Sequence, residues 1–157
     1  MRIGQSTDIH QLKEGRDLIL GGVKIDHYLG LDGHSDADVL VHAIIEAIFG
    51  ALAMKDIGTH FPDTDPKYKD VSSIKLLEEV RLILANSNYE VGNIDSLVII
   101  EKPKLANHID EMRENIKKAL DIEIDQINVK ATRGEKLGFV GNETGVMAQA
   151  VVLLKKK

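Results

Sequence analysis

A chain of 157 residues, 43% of them apolar, is long enough to bury ~70% of its unfolded surface in one domain, which excludes disorder. A net charge of −5 without a dense basic patch excludes a nucleic-acid-binding surface, though not a phosphorylated small molecule. The absence of cysteine excludes disulfides and leaves any bound zinc to histidine and carboxylate, a ligand set commoner in catalytic than in structural sites.

Met1-Arg2-Ile3-Gly4 leads almost at once into an extended segment that ends on Asp8 and His10, so no signal segment and a soluble, cytoplasmic protein are expected. Leu18 to Ile25 reads as extended, bent at Gly21-Gly22. Ala37 to Leu52 is predicted to be helical, opened by the Ser-x-x-acid pattern Ser35-Asp36-Ala37-Asp38. Asp56 to Asp65 reads as a loop. A second helix is predicted over Ser73 to Ala85, with Ile74, Leu77, Val80 and Leu84 at helical spacing. A strand follows over Ser96 to Ile100, and a third helix over Ile109 to Leu120. Ile127 to Ala131 is a strand entering a glycine-rich loop, and Thr144 to Leu154 is the last strand. Lys155-Lys156-Lys157 reads as a frayed tail. With no repeat or linker, residues 1–157 form one domain. Its expected class is α+β: a single sheet of about four main strands with helices packed on one face.

Two patterns carry chemistry. Asp8 and His10 are two apart in an extended segment, so they share one face and make two ligands of a metal site. The helix from Ala37 is apolar almost all round except for Asp38, His42 and Glu46, spaced four apart. Buried polar groups need partners. His42 is therefore the natural third ligand, and Glu46 is placed to orient its imidazole. Three protein ligands leave a fourth position open, as in catalytic zinc sites. His34-Ser35 precedes the helix, where backbone N–H groups favour an anion, although Ser35 alone also reads as a helix cap. The run Lys130 to Phe139 combines a hydroxyl, three cations, one acid and two glycines, a composition able to wrap phosphates, with Glu135 holding a hard metal.

Several motifs, in order and spacing, resemble the 2-C-methyl-D-erythritol 2,4-cyclodiphosphate synthase family across essentially the whole chain. They are Asp8-Ile9-His10, Gly21-Gly22-Val23, His34-Ser35-Asp36-Ala37-Asp38 with His42, Asp56-Ile57-Gly58, Phe61-Pro62-Asp63-Thr64-Asp65-Pro66, Asn128-Val129-Lys130-Ala131-Thr132 and Glu135-Lys136-Leu137-Gly138-Phe139. The resemblance implies a homotrimer with active sites shared between adjacent subunits. It implies zinc on Asp8, His10 and His42, and Mg²⁺ or Mn²⁺ placed by Glu135. The implied enzyme is a phosphorus-oxygen lyase of non-mevalonate isoprenoid biosynthesis. Its substrate is 4-diphosphocytidyl-2-C-methyl-D-erythritol 2-phosphate, whose 2-phosphate attacks the β-phosphorus to give a cyclic diphosphate and CMP. The methylerythritol phosphate would meet Asp8, Ile9, His10, His34, Ser35, Asp56, Ile57, Gly58, Phe61, Pro62, Asp63, Thr64 and Asp65. The nucleotide would meet Ile100, Glu101, Lys102, Pro103, Lys104, Leu105, Ala106, Ala131, Thr132, Arg133, Gly134, Glu135 and Phe139. His34 and Arg133 are the expected catalytic residues.

The chain departs from the family pattern in three places. Gly4-Gln5-Ser6-Thr7 replaces a more glycine-rich run. Arg133 stands where the family has a threonine credited with transition-state stabilisation. Asn142 stands where the family often has an arginine lining the trimer's central cavity. Two other readings remain: a metal-dependent phosphodiesterase, and a trimeric binding module without turnover.

Overall fold

Buried and exposed residues alternate along β1 (Arg2–Lys13), β5 (Tyr89–Ile99) and β7 (Gly145–Lys156). That pattern marks strands with one face on a core. Between and around them lie β2 (Leu18–Leu20), β3 (Val23–Ile25), β4 (Gly30–Leu31), α1 (Val39–Leu52), α2 (Ile57–His60), α3 (Ser73–Asn86), α4 (Ile109–Leu120), β6 (Ile127–Thr132) and α5 (Gly138–Gly141). The computed structural model describes all of residues 1–157. No helix is long and apolar enough to cross a membrane.

The α+β class is as expected, but the sheet has five strands rather than about four, in the order β4-β1-β7-β5-β6. The extra strand is the two-residue β4 on the edge of β1, too short to leave a periodic signal. All pairings in this sheet are antiparallel except β5 with β6. The segment from Leu18 to Ile25 folds back on itself as a separate hairpin of β2 and β3. Gly21 and Gly22, at φ +57° and +71°, form its two-residue turn, which needs left-handed backbone at both positions.

Several boundaries differ from expectation. Helix α1 starts at Val39 and is capped by Asp38, not Ser35, because Ala37 takes φ +57° and interrupts the turn. Strand β5 begins at Tyr89 rather than Ser96. Its first half is polar, and a register shift between Val91 and Asn93 breaks the alternation. The loop after Asp56 contains the single turn α2, and the glycine-rich loop contains α5. The terminal lysines are not frayed. Lys155 pairs with Glu90 at 3.2 Å, and the Lys157 amide donates to the Asn88 carbonyl.

Helix α1 lies across β1 and β7 with eleven of its residues buried. Phe49, Ile44, Ile45 and Ile48 are fully enclosed, each stabilising the fold by about 1.5–3 kcal/mol. Gly4 permits the approach: a β-carbon there would stand 1.8 Å from the Ala47 carbonyl oxygen. The other face of the sheet carries no helix and leaves Ile3 70%, Ile9 52% and Val151 47% exposed.

Asp38 is fully buried and answered on both oxygens. Its Oδ1 accepts from Gly21 N at 3.0 Å and Val41 N at 3.1 Å, and its Oδ2 from Gly22 N at 2.7 Å. Burial, then the charge of Asp36, pushes its carboxyl up to about 6 despite these three donors. Asp38→Ala removes the helix cap and leaves buried amides unpaired, so a loss of at least about 2 kcal/mol is expected in denaturant unfolding.

Candidate active site

The alternation of β1 sends Asp8 and His10 toward α1, and the stripe on α1 sends His42 back to meet them. Asp8 Oδ2 lies 3.0 Å from His10 Nε2 and 3.3 Å from His42 Nδ1, and the two ring nitrogens are 3.2 Å apart. Atoms bound at ~2.0–2.1 Å to one tetrahedral ion would stand ~3.3–3.4 Å apart. The three side chains therefore already form one face of such a tetrahedron, and all are partly buried. The outer nitrogens are fixed as well. His10 Nδ1 donates to the Asp32 carbonyl at 2.8 Å, which leaves the Nε2 lone pair free for a metal. His42 Nε2 faces the hydroxyls of Ser73 at 2.8 Å and Ser35 at 3.2 Å. Ile9 turns its side chain to the opposite face, but its amide donates to Asp8 Oδ1 at 2.9 Å.

Glu46 does not orient His42 as expected. One turn further along, its carboxylate reaches down and accepts from the Ile57 amide at 2.7 Å, anchoring the start of α2. The hydroxyl of Ser73, at the start of α3, holds the ring instead. Nothing local in the sequence marks Ser73 for this, since it is brought in from a distant segment.

The triad opens into a cavity of about 410 Å³ lined also by Gly33, His34, Ser35, Ile57, Gly58, Phe61, Asp63, Tyr68 and Leu76. Six of these were predicted; Gly33, Tyr68 and Leu76 were not. Asp56, Pro62, Thr64 and Asp65 do not line it. Asp56 caps α2, accepting from the Thr59 amide and hydroxyl at 2.8 and 2.7 Å. Asp65 caps the turn at Lys67, and its carbonyl lies 3.3 Å from His34 Nε2.

A second cavity, of about 350 Å³, is lined by Ile100, Pro103, Lys104, Leu105, Ala106, Ala131, Thr132 and Arg133, together with Ile109. Glu101, Lys102, Gly134, Glu135 and Phe139 do not line it. Glu101 accepts from the Gly134 amide at 3.0 Å and so ties the two loops of this cavity together. Lys102 is held 2.8 Å from Glu143, which also accepts from the Tyr28 hydroxyl at 2.7 Å. Lys102 first, then Tyr28, holds the Glu143 carboxyl below its usual range. Glu135 is exposed, at φ +53°, and stands apart from the triad. The two cavities share no lining residue. Asp8 pairs with Ala148, Ala148 with Val98, and Val98 with Ala131, so two strands separate them, about 14 Å at ~4.8 Å per step.

Burial is the largest single influence on Asp8 and pushes its carboxyl up. The hydrogen bonds and charges of His10 and His42 outweigh it and hold the carboxyl well below the usual range. Burial likewise pushes His10 down, and the Asp8 hydrogen bond and charge more than reverse it. In metal-free protein the depressed Asp8 stabilises the fold above its ordinary pKa, and this is lost as pH falls through the folded value. The raised His10 stabilises below its ordinary pKa, and this is lost as pH rises through the folded value. The melting temperature of chelator-stripped protein should therefore fall as pH rises from about 6.5 through the raised His10 value, and Asp8→Asn should flatten that fall. An equal slope in both proteins would refute the coupling, since the Asp38 contribution is common to both.

A family model described as the YgbB family matches residues 1–155. The 2-C-methyl-D-erythritol 2,4-cyclodiphosphate synthase of Clostridium perfringens is 60% identical over 156 residues, covering 99% of this chain and 100% of that protein. Among solved structures, the bifunctional IspDF from Campylobacter jejuni aligns with a TM-score of 0.95 at 41% identity, over 99% of this chain and 42% of that one. IspF of Plasmodium falciparum, in a CDP complex, aligns with a TM-score of 0.87 at 40% identity, over 99% of this chain and 96% of that one. A match of this length, with every ligand-bearing motif inside it, means that the chain belongs to the YgbB family of 2-C-methyl-D-erythritol 2,4-cyclodiphosphate synthases.

Proposed function

We propose that this chain, acting as one domain, converts 4-diphosphocytidyl-2-C-methyl-D-erythritol 2-phosphate to 2-C-methyl-D-erythritol 2,4-cyclodiphosphate. A 2-phosphate oxygen forms the new bond to the β-phosphorus, the bond from that phosphorus to the α-phosphate bridge breaks, and CMP leaves. The observation that carries this reading is the tetrahedral face of Asp8, His10 and His42 opening into a cavity large enough for phosphates. Two imidazoles and one carboxylate suit zinc better than a hard ion such as Mg²⁺. Zinc held there would supply positive charge to neutralise the approaching phosphates and polarise the attacked phosphorus. The chain's own residues do the positioning. His34 and Ser35 meet the sugar phosphate from the loop before α1, while Phe61 closes the cavity wall. Folding the substrate so that its two ends meet supplies the proximity contribution. Glu135 is assigned to a second divalent ion, Mg²⁺ or Mn²⁺, on the nucleotide side.

The cytidine would occupy the cavity of Ile100, Leu105 and Ala131, in keeping with the CDP found in the Plasmodium falciparum relative. A shared active site in a homotrimer accounts for two features of the single chain. Its sugar-phosphate and nucleotide cavities are separate, and its helix-free sheet face leaves apolar side chains exposed. Arg133 lines the nucleotide cavity with a guanidinium that no side chain of the chain engages, so its fork of donors is available to the diphosphate.

Incubating the protein with substrate, zinc and Mg²⁺ should release CMP and cyclic diphosphate together; CMP without the cyclic product would sink this reading in favour of hydrolysis. His42→Ala should lose zinc from a folded protein and lower turnover by about 10²-fold or more. Mixing His42→Ala chains with Thr132→Ala/Glu135→Ala chains should restore part of the activity once subunits exchange. Arg133→Ala should lower the cyclisation rate by about tenfold or more and Arg133→Thr should recover part of it, whereas unchanged turnover in Arg133→Ala would make the side chain a bystander.

A further inference from the structure

We infer that Asp36 and Ser73 form a relay that fixes the His42 ring as a metal ligand and sets the affinity of the metal site. The relay rests on the metal reading above and extends it to two residues that are not themselves ligands.

The direction of each hydrogen bond follows from what its partners can do. His42 presents Nδ1 to Asp8 and His10. A ring nitrogen that binds a metal must offer a lone pair, so the ring proton sits on Nε2. The nearest acceptor for that proton is Ser73 Oγ at 2.8 Å. Ser73 Oγ also lies in short contact with Asp36 Oδ1. An ionised carboxylate can only accept, so the hydroxyl proton points to Asp36 and the serine lone pairs face the histidine. The chain therefore runs one way: His42 Nε2–H to Ser73 Oγ–H to the Asp36 carboxylate. Ser35, at 3.2 Å, is the weaker second acceptor, since its oxygen already takes the Ala37 amide.

The relay is anchored, and its middle member is shielded from solvent. Ser73 is fully buried at the first turn of α3. Asp36 is pinned by the amides of Ser73 at 3.0 Å and Asp38 at 3.2 Å, and its own amide donates to the Val71 carbonyl. Histidines that bind metals commonly donate their other N–H to a carboxylate, which orients the ring and raises its basicity. Here one hydroxyl is interposed between ring and carboxylate. The two imidazoles thus differ: His10 leans on the neutral Asp32 carbonyl, and His42 on a charge one hydroxyl away.

The test is zinc affinity, read by competition with a chromophoric chelator, together with the visible absorption of cobalt-substituted protein. Ser73→Ala should weaken zinc binding by about 10- to 100-fold and alter the cobalt bands, with Ser73→Thr recovering most of both. Asp36→Asn, which keeps the shape but not the charge, should weaken it by about tenfold. A folded Ser73→Ala protein that binds zinc within about twofold of wild type, with the same cobalt spectrum, would overturn the relay. If Ser73→Ala does not fold, wild-type zinc affinity in Asp36→Asn overturns it. Failure of the wild-type chain to bind zinc or cobalt would overturn the metal reading itself, and the relay with it.

Discussion

Helix α1 can be buried on nearly every side only because each of its polar groups is answered by a different part of the chain. Asp38 takes the amides of the β2–β3 turn, His42 meets β1 on one ring nitrogen and α3 on the other, and Glu46 takes the amide that opens α2. Leaving any one of them unpaired in the interior costs about 1–3 kcal/mol. The polar stripe is thus what gathers the hairpin, helix α3 and the loop that carries α2 around one point. Fold stability and site geometry are served by the same few contacts.

Charge imposes a second constraint. The chain is net negative, and the cavity beside the triad contains Asp8 and Asp63 but no lysine or arginine. The groups there able to carry or attract positive charge are the imidazoles of His10, His34 and His42 and whatever ion the triad holds. The guanidinium and ammonium groups of Arg133 and Lys104 lie in the other cavity. The lysine and arginine side chains of the two cavities thus all lie on one side of β7.

Much of this could be read before the fold was known. The spacing of Asp8 and His10 is a strand period, and the isolation of His42 in an apolar helix announces a buried partner. Both signals are local, and both held. Glu46 shows the limit of that reasoning. Spacing by four puts two side chains on one helix face, but it does not aim them at the same atom. Ser73 shows another limit, because a contact between residues 31 apart leaves no periodic trace. Strand β4 is too short to alternate, and the polar first half of β5 hides a strand whose outer face is not core. The division into two cavities was invisible for a similar reason. It depends on β7 running between β1 and β5, which is a matter of pairing order rather than of pattern.

Gly4 shows how far the metal site's tolerance reaches beyond its ligands. The backbones of β1 and α1 touch there, with no room for a single methyl group, and the same two elements carry all three ligands further along. The contact sets the spacing of the two elements. A side chain wedged in at Gly4 would push the helix off the strand, and the shift would be passed along both elements to His42 and the Asp8–His10 pair. Random mutagenesis that selects for metal retention should therefore find Gly4 as intolerant as a ligand, although it offers no donor atom.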